Sequence, residues 1–220
     1  MLSPVMEDYL KAIYQLGDDK VRTSELAEYL GVSQPTVTNT LEKLDERGLV
    51  EREKYKGVEL TEEGKTVAVE VVRHHRLIEA YLAEALDYDW SEVHDEAERL
   101  EHHISEEFEE RVADALDNPE RDPHGAPIPS ESLEPPEEGG ETLDTHSEGD
   151  EVVVESVEDD DAEVLEYLEE NGVVPDANVA VVEVAPFGMV TVRVDGNEVA
   201  LPNEVARRVR VRPTAKQVDV

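Results

Sequence analysis

The chain has 220 residues, enough for two small domains or three very small ones. Apolar residues make up 39% and aromatics 5%, so the expected core is lean and built from Val, Leu, Ile and Ala. No run approaches the ~18 apolar residues of a membrane span. Cysteine is absent, which excludes a disulfide framework and a thiolate zinc site. The opening MLSPVMEDYL carries acids where a secretory leader needs bases, so the expected location is cytoplasmic.

Charge is the unusual quantity, with 20 basic against 56 acidic residues and a net of −36. Residues 1–73 hold 10 Lys/Arg and 15 Asp/Glu, whereas the remaining 147 hold 10 and 41. The excess reads as a general surface bias, an adaptation to a very salty cytoplasm and hence a halophilic origin, because high net charge keeps a protein soluble. Such a surface repels nucleic acid, whose affinity for proteins rests largely on phosphate contacts. The first third of the chain is the part least affected.

Residues 5–16 are predicted as a helix, from the near-3.6 recurrence of Val5, Tyr9, Leu10, Ile13 and Leu16. A second helix is predicted over 24–30, opened by Ser24 and ended by Gly31. Ser33 then caps a third, with Pro35 in its first turn, where a missing N–H costs little. It runs through PTVTNTLEKLDER to Gly48, and LVEREKYKGVELT follows as two short strands around a Lys-Tyr-Lys-Gly tip. Two longer helices are expected at 62–86 and 91–117. Residues 118–149 break every pattern and contain half of the 12 prolines, as a linker does. EVVVESV and ANVAVVEVAPFGMVTVRVDGNEVAL are Val-rich strands with a tight DG turn, interrupted by a helix at 161–171.

Helix, short Gly-containing turn, helix and two-stranded wing is the order of a winged helix-turn-helix. Its second motif helix enters the major groove with its N-terminal side chains toward base edges. Here those are Ser33, Gln34, Pro35, Thr36, Thr38 and Asn39, small donors and acceptors with one apolar contact suited to a thymine methyl. Lys54 and Lys56 on the wing tip suit backbone phosphates. Double-stranded DNA is the partner this implies.

The predicted helix 91–117 carries His94, Glu98, Glu101 and His102 on one face, since i+3 and i+4 neighbours stack. The preceding helix carries His75 and Glu79, again four apart. Two antiparallel helices bring these six groups together as a metal site; the alternative is a solvated acidic face with incidental histidines. No HExxH and no nucleophile motif occurs, so no catalysis, no membrane and no small-molecule substrate are expected.

The stretches VHDEAERLEHHISEEFEERV, VVRHHRLIEAYL and DPHGAPIP, with MEDYLKAIYQL and SQPTVTNTLEKL before them and GVVPDANV and LPNEVARRVRV after, resemble the diphtheria-toxin-repressor family of metal-dependent regulators. The resemblance covers nearly the whole chain. It implies an α+β multidomain protein: a winged helix-turn-helix domain (1–63), a helical dimerisation and metal-binding domain (64–130), an acidic Pro/Gly linker (131–149) and an SH3-like, FeoA-type small β-barrel (150–220). It further implies a homodimer that represses metal-homeostasis genes.

Carried onto this chain, the family's primary metal site is Asp8, Glu98, Glu101 and His102, and its ancillary site is His75, Glu79 and His94. The C-terminal segment ESVEDDD adds Asp159, with Glu155 or Glu158 replacing the poor ligand Ser156. His124 in HGAPIP is expected to be structural. Iron-responsive relatives place a sulfur-bearing residue at the positions of Asp8 and Glu98, whereas this chain has carboxylates. Hard ligands suit Mn²⁺, which is expected ahead of Fe²⁺, with Zn²⁺, Co²⁺ or Ni²⁺ able to bind in vitro. Manganese-specific relatives have a second glutamate one turn after Asp8; here it is Lys11, so a closely spaced metal pair is not expected. The competing readings are a winged-helix regulator indifferent to metal, and a metalloenzyme or metal buffer built on the carboxylate–His helix.

Overall fold

The computed structural model describes residues 2–17, 20–53, 56–136, 139–186 and 188–214. They fall into two compact units: Met1–His75 with Arg99–Glu109 and Pro129–Pro135, and Arg76–Glu98 with Glu110–Ile128 and Pro136–Val220.

In the first unit, α1 (Pro4–Gln15) opens on Pro4, whose fixed φ suits a first helical turn. Helix α2 (Thr23–Tyr29) starts one residue before the expected Ser24, because the Glu25 carboxylate accepts the Arg22 N–H at 2.7 Å and defines the cap there. Helix α3 (Gln34–Glu46) starts as expected, with Ser33 Oγ accepting from Thr36 N at 3.4 Å. Gly31 and Gly48 end α2 and α3 at φ of 63° and 75°, conformations costly for residues with a Cβ. Strands β1 (Val50–Glu53) and β2 (Gly57–Leu60) pair antiparallel, Glu53 opposite Gly57, and form the wing. The core joins Leu10 and Ile13 of α1, Leu26 of α2, Val37, Leu41 and Leu44 of α3, and Val50 and Val58 of the wing. Truncating one such leucine to alanine costs about 2–5 kcal/mol.

Helix α4 (Glu62–Leu86) is a single 25-residue element, opened by Thr61, whose Oγ1 accepts from Gly64 N at 3.0 Å. The expected helix 91–117 is two helices, α5 (Val93–Leu100) and α6 (Glu106–Ala115). Ser105 makes the break: its Oγ accepts from Phe108 N at 3.3 Å and its carbonyl from Glu109 N at 2.9 Å, starting a new helix. Glu101 and His102 therefore sit on a turn rather than on a helix face.

In the second unit, Leu77, Ala80, Val112, Ala113 and Ile128 form a small cluster. The C-terminal sheet is antiparallel, in the order β3-β8-β4-β5-β6-β7. Its strands are β3 (Glu141–Thr142), β4 (Glu151–Val157), β5 (Asn178–Ala185), β6 (Met189–Val194), β7 (Asn197–Pro202) and β8 (Val209–Pro213). Alternate valines, such as Val190, Val192 and Val194, point inward to one core with Leu165 and Leu168 of α7 (Ala162–Glu170). The four-residue α8 (Asn203–Ala206) leads into β8. Asp195 and Gly196, both at positive φ, make the two-residue β6–β7 turn that the DG pair predicts. Residues 141–145, expected in the linker, instead give β3 and the fully buried Leu143 to this sheet and core. No helix among the described residues is long and apolar enough to cross a membrane.

Candidate metal centres and DNA face

In the first unit, α1 and the turn after α5 converge. Ligand atoms of Asp8, Glu101 and His102 all lie within 4.8 Å of one another. His102 Nε2 is 2.7 Å from Asp8 Oδ1 and 3.4 Å from Glu101 Oε1, and its Nδ1 is 2.7 Å from Glu7 Oε2. Burial disfavours a charged ring, but the carboxylates of Asp8, Glu101 and Glu7 outweigh it, so the His102 pKa is raised.

Glu101 is 2% exposed and carries the buried charge of this cluster. Lys11 Nζ donates to its two oxygens at 2.8 and 3.1 Å and lies 3.1 Å from His75 Nδ1, itself 2.5 Å from Glu101 Oε2. Burial pushes the Glu101 carboxyl up; His75 and Lys11 overcome it and the pKa falls. His74 Nδ1 donates to the Glu101 carbonyl at 3.2 Å and its Nε2 lies 3.0 Å from Glu109 Oε2, holding the turn to α4. His75 engages Glu101 and Lys11 within this unit.

In the second unit, α4, α5 and the segment after β4 bring Glu79, His94 and Asp159 within 4.8 Å of one another. His94 Nδ1 lies 3.4 Å from Glu79 Oε1 and 3.5 Å from Asp159 Oδ2. Glu98 is half-exposed in the same unit, 3.9 Å from His94 Nε2. Glu155 stands apart: its carboxylate accepts from Arg121 at 2.9 Å, and Asp159 is the member of ESVEDDD that joins the cluster.

Two further residues lie beside it: Asp122, which the sequence does not single out, and His124, expected to be structural. Asp122 and His124, in the stretch read as linker, approach Glu79. His124 is fully buried, with Nδ1 3.8 Å from both Glu79 Oε1 and Asp159 Oδ2. Its Nε2 donates to the Trp90 carbonyl at 2.9 Å, so Nδ1 is the nitrogen that takes either a proton or a metal ion, buried and facing two carboxylates without a hydrogen bond to either. Asp122 Oδ1 accepts from the backbone N–H of His124 and of Ala126 at 2.9 Å, so one carboxylate shapes the turn that aims the imidazole. The signal for both was the DPHG run itself, a His two residues after an Asp.

Electrostatics show an excess of buried negative charge. Burial opposes a charged His94, but Asp159 and Glu79 raise its pKa to about 10. Burial likewise opposes a charged His124, which Glu79, Asp159 and Asp122 raise to about 9. Burial, then Glu79, pushes Asp122 up to about 7 against Arg76 and His124. Protons on two imidazoles balance the carboxylates; a divalent cation does the same when its ligands are deprotonated. A buried imidazole nitrogen facing two carboxylates at 3.8 Å, too far for a hydrogen bond, with no sulfur donor, fits such an ion.

On the other face of the first unit, Ser33, Gln34, Pro35, Thr36 and Asn39 of the α3 region are exposed and Thr38 is half-buried. Ser33 Oγ lies 2.8 Å from Thr36 Oγ1, and Thr38 Oγ1 donates to the Gln34 carbonyl at 3.0 Å. Val37, Leu41 and Leu44 bury the opposite stripe. Lys56 is exposed beside Glu53, and Lys54 lies outside the described residues.

A winged helix whose first helix shares a carboxylate–imidazole cluster with a following helical region defines the class of metal-responsive DNA-binding proteins. Residues 1–58 match the iron-dependent repressor N-terminal DNA-binding domain, residues 61–130 the iron-dependent repressor metal-binding and dimerisation domain, and residues 141–213 the FeoA domain. The chain is 38% identical over 221 residues to the iron-dependent repressor IdeR of Mycobacterium tuberculosis, covering 93% of this chain and 95% of that one. Among solved structures it is similar to a manganese-dependent transcriptional repressor in complex with manganese (38% identity, TM-score 0.89, 95% and 100% covered). It is also similar to the regulator ScaR with bound Cd²⁺ (34%, TM-score 0.85, 95% and 99% covered). The chain belongs to the iron-dependent repressor family, and it is a metal-dependent DNA-binding transcriptional regulator. Its relatives are repressors rather than enzymes.

Proposed function

We propose that this chain is a homodimeric repressor of metal-homeostasis genes, activated by Mn²⁺ ahead of Fe²⁺. One ion is held by Asp8, Glu101 and His102, a second by Glu79, His94, His124 and Asp159 with Asp122 beside them. The observation that carries the reading is the 2.7 Å contact between His102 on the turn after α5 and Asp8 on α1. The donors are oxygens and imidazole nitrogens, which suit Mn²⁺, although intrinsic affinity rises toward Fe²⁺ and later metals. Relatives named for iron and for manganese frame that choice.

A divalent ion supplies the positive charge that lets these carboxylates stay together while ionised. Asp8 and Glu7 approach His102 from α1, and Glu101 approaches from the turn. Held there, Asp8 fixes α1, and α1 packs through Leu10 and Ile13 on the Val37–Leu41 stripe of α3. Thr36, Thr38 and Asn39 are then presented to base edges in a fixed pose, with the two α3 helices of a dimer about one DNA turn, ~34 Å, apart. A coupling of about 1–3 kcal/mol per effector is typical.

The test is Asp8→Ala. Operator DNA is first selected from a random pool by the wild type with Mn²⁺, Fe²⁺ or no metal under anaerobic conditions. The variant should remain dimeric yet lose metal-dependent binding, by about a hundredfold if both subunits contribute. An unchanged metal response in an anisotropy titration overturns the assignment. Wild-type binding equal with and without metal overturns the metal switch.

A further inference from the structure

The wing and the segment leading into α2 border a groove of about 540 Å³, lined by Arg22, Thr23, Gln34, Arg52, Glu53 and Lys56. Its backbone is firmly set. Val21 and Val58 exchange N–H···O bonds at 2.9 Å in both directions. Gly57, at φ 122°, lets β2 pass so close that a Cβ there would lie 2.6 Å from the Val21 oxygen. The groove reaches Gln34 at the start of α3.

Three cations and one carboxylate line this groove, in a chain whose net charge is −36. The carboxylate is held as a bound anion is held. Glu53 Oε1 lies 2.5 Å from Lys56 Nζ, and Oε2 accepts from Lys20 Nζ at 2.6 Å; Lys20 also reaches Glu59 at 2.9 Å. Glu53 stays at the surface, with its side chain 43% exposed, so it plays no part in the core. Hydrogen bonds from Lys20, then Lys56, hold the Glu53 carboxyl below its ordinary range, and Glu53, then Glu59, holds Lys20 above its own. Both partners therefore keep their charges near neutrality. Elsewhere on the rim Arg52 faces Glu42 at 3.6 Å and Arg22 faces Glu25 at 3.9 Å, longer and looser pairs.

We propose that this groove seats the DNA sugar–phosphate backbone, and that Glu53 holds the place of a phosphate in it, yielding Lys20 and Lys56 to the DNA when duplex binds. This rests on the reading of the chain as a DNA-binding regulator and specifies how an acidic protein manages the contact. Each phosphate neutralised releases about 0.9 of a condensed cation. The displaced Glu53 carboxylate takes a cation back up. The net salt dependence of binding is thereby shallower than the number of phosphate contacts demands. Such an exchange lets binding persist at ionic strengths where ordinary counterion release has lost its driving force.

The experiment measures anisotropy of a labelled random-sequence duplex of about 30 base pairs, some three helical turns, with full-length Mn²⁺-loaded protein over a KCl series. Random sequence isolates the backbone term. Glu53→Gln should bind on the order of tenfold tighter at the lowest salt, with a slope of log K against log[KCl] steeper by about one. Adding Lys56→Gln to that variant should bring the slope back toward wild type by about one. Arg22→Gln in the wild-type background should weaken binding to all sequences alike. If Glu53→Gln leaves both slope and affinity at wild-type values while wild type still binds, the placeholder role is wrong and the regulator reading stands. If metal-loaded wild type binds neither this duplex nor a selected operator, the regulator reading itself is wrong and the groove falls with it.

Discussion

The cluster at α1 keeps every imidazole nitrogen of His102 in hydrogen-bond reach of a carboxylate, whereas the cluster at α4, α5 and Asp159 leaves His124 Nδ1 at 3.8 Å from its two carboxylates, with no hydrogen bond to either. They also differ in how they carry charge without metal. In the first, the Lys11 ammonium sits on the buried Glu101 carboxylate. In the second, Glu79 and Asp122 are fully covered, and compensation comes from protons on His94 and His124. A fixed ammonium resists displacement, but protons exchange freely for a metal ion. The first cluster therefore combines a fixed ammonium with the one exchangeable proton favoured on His102, and the second relies on two, on His94 and His124.

The largest effect that separates the two should come from Lys11→Met. It leaves Glu101 buried without its ammonium, and breaking a buried pair from one side costs about 3–5 kcal/mol. Denaturant unfolding without metal should show that loss, and added Mn²⁺ should return part of it. A loss below about 1 kcal/mol would mean that His75 alone satisfies Glu101 and that the contrast between the clusters is weaker than their geometry indicates.

The next effect belongs to the second cluster. His124→Ala removes that nitrogen without touching α1. It should remove one bound Mn²⁺ per subunit from a calorimetric titration, or weaken that ion by about a hundredfold, while leaving Asp8-dependent DNA binding in place. The pH dependence sharpens this. Both histidines have pKa values raised above the unfolded 6.5, to about 10 and about 9. In the metal-free protein their contribution to stability is fully present below 6.5 and is lost as pH rises through 9 and 10. Metal must displace those protons, so its apparent affinity should climb with pH across the same window. Calorimetry in buffers of different ionisation enthalpy should count up to two protons released; a count of zero means the imidazoles are neutral before metal arrives.

The contrast also marks what the sequence can disclose. The DNA-binding half is legible because its signals are local: Ser33 caps α3, Gly31 and Gly48 close helices, and the wing alternates around a short tip. Even there Ser24 misleads, since Glu25 reaches back to Arg22. Helical periodicity places His75 and Glu79 on one stripe, but it says nothing of Lys11, 64 residues away, which draws His75 to Glu101. The same periodicity runs a helix through Ser105, although Ser105 is a capping residue before an acidic turn. His124 is read as structural because its burial is non-local: Trp90 accepts its proton, and β4 hydrogen-bonds back through Val157 N to the His124 carbonyl. Glu101 and His102 are singled out by spacing, but their partnership with Asp8 comes from the family resemblance, because a turn rather than a helix face brings them to α1.

The smallest effect tests whether the second cluster depends on that non-local packing. Gly125 sits at φ 86°, and a Cβ on it would lie 2.2 Å from the Glu155 oxygen and 3.1 Å from Ser156 Cα. The turn carrying His124 can therefore approach β4 only with glycine at this position. Gly125→Ala must either strain the backbone or lift the turn away, at a cost of about 1–3 kcal/mol. Lifting the turn moves His124 Nδ1 from Asp159, which lies just beyond β4, while the Asp122 carboxylate moves with it. The second ion should then weaken on the order of tenfold, with the first ion and the α1 cluster unaffected. Calorimetry that finds both ions weakened equally would mean that the clusters are coupled rather than separate. A stability loss with both affinities unchanged would mean that strain is absorbed within the turn, leaving His124 in place.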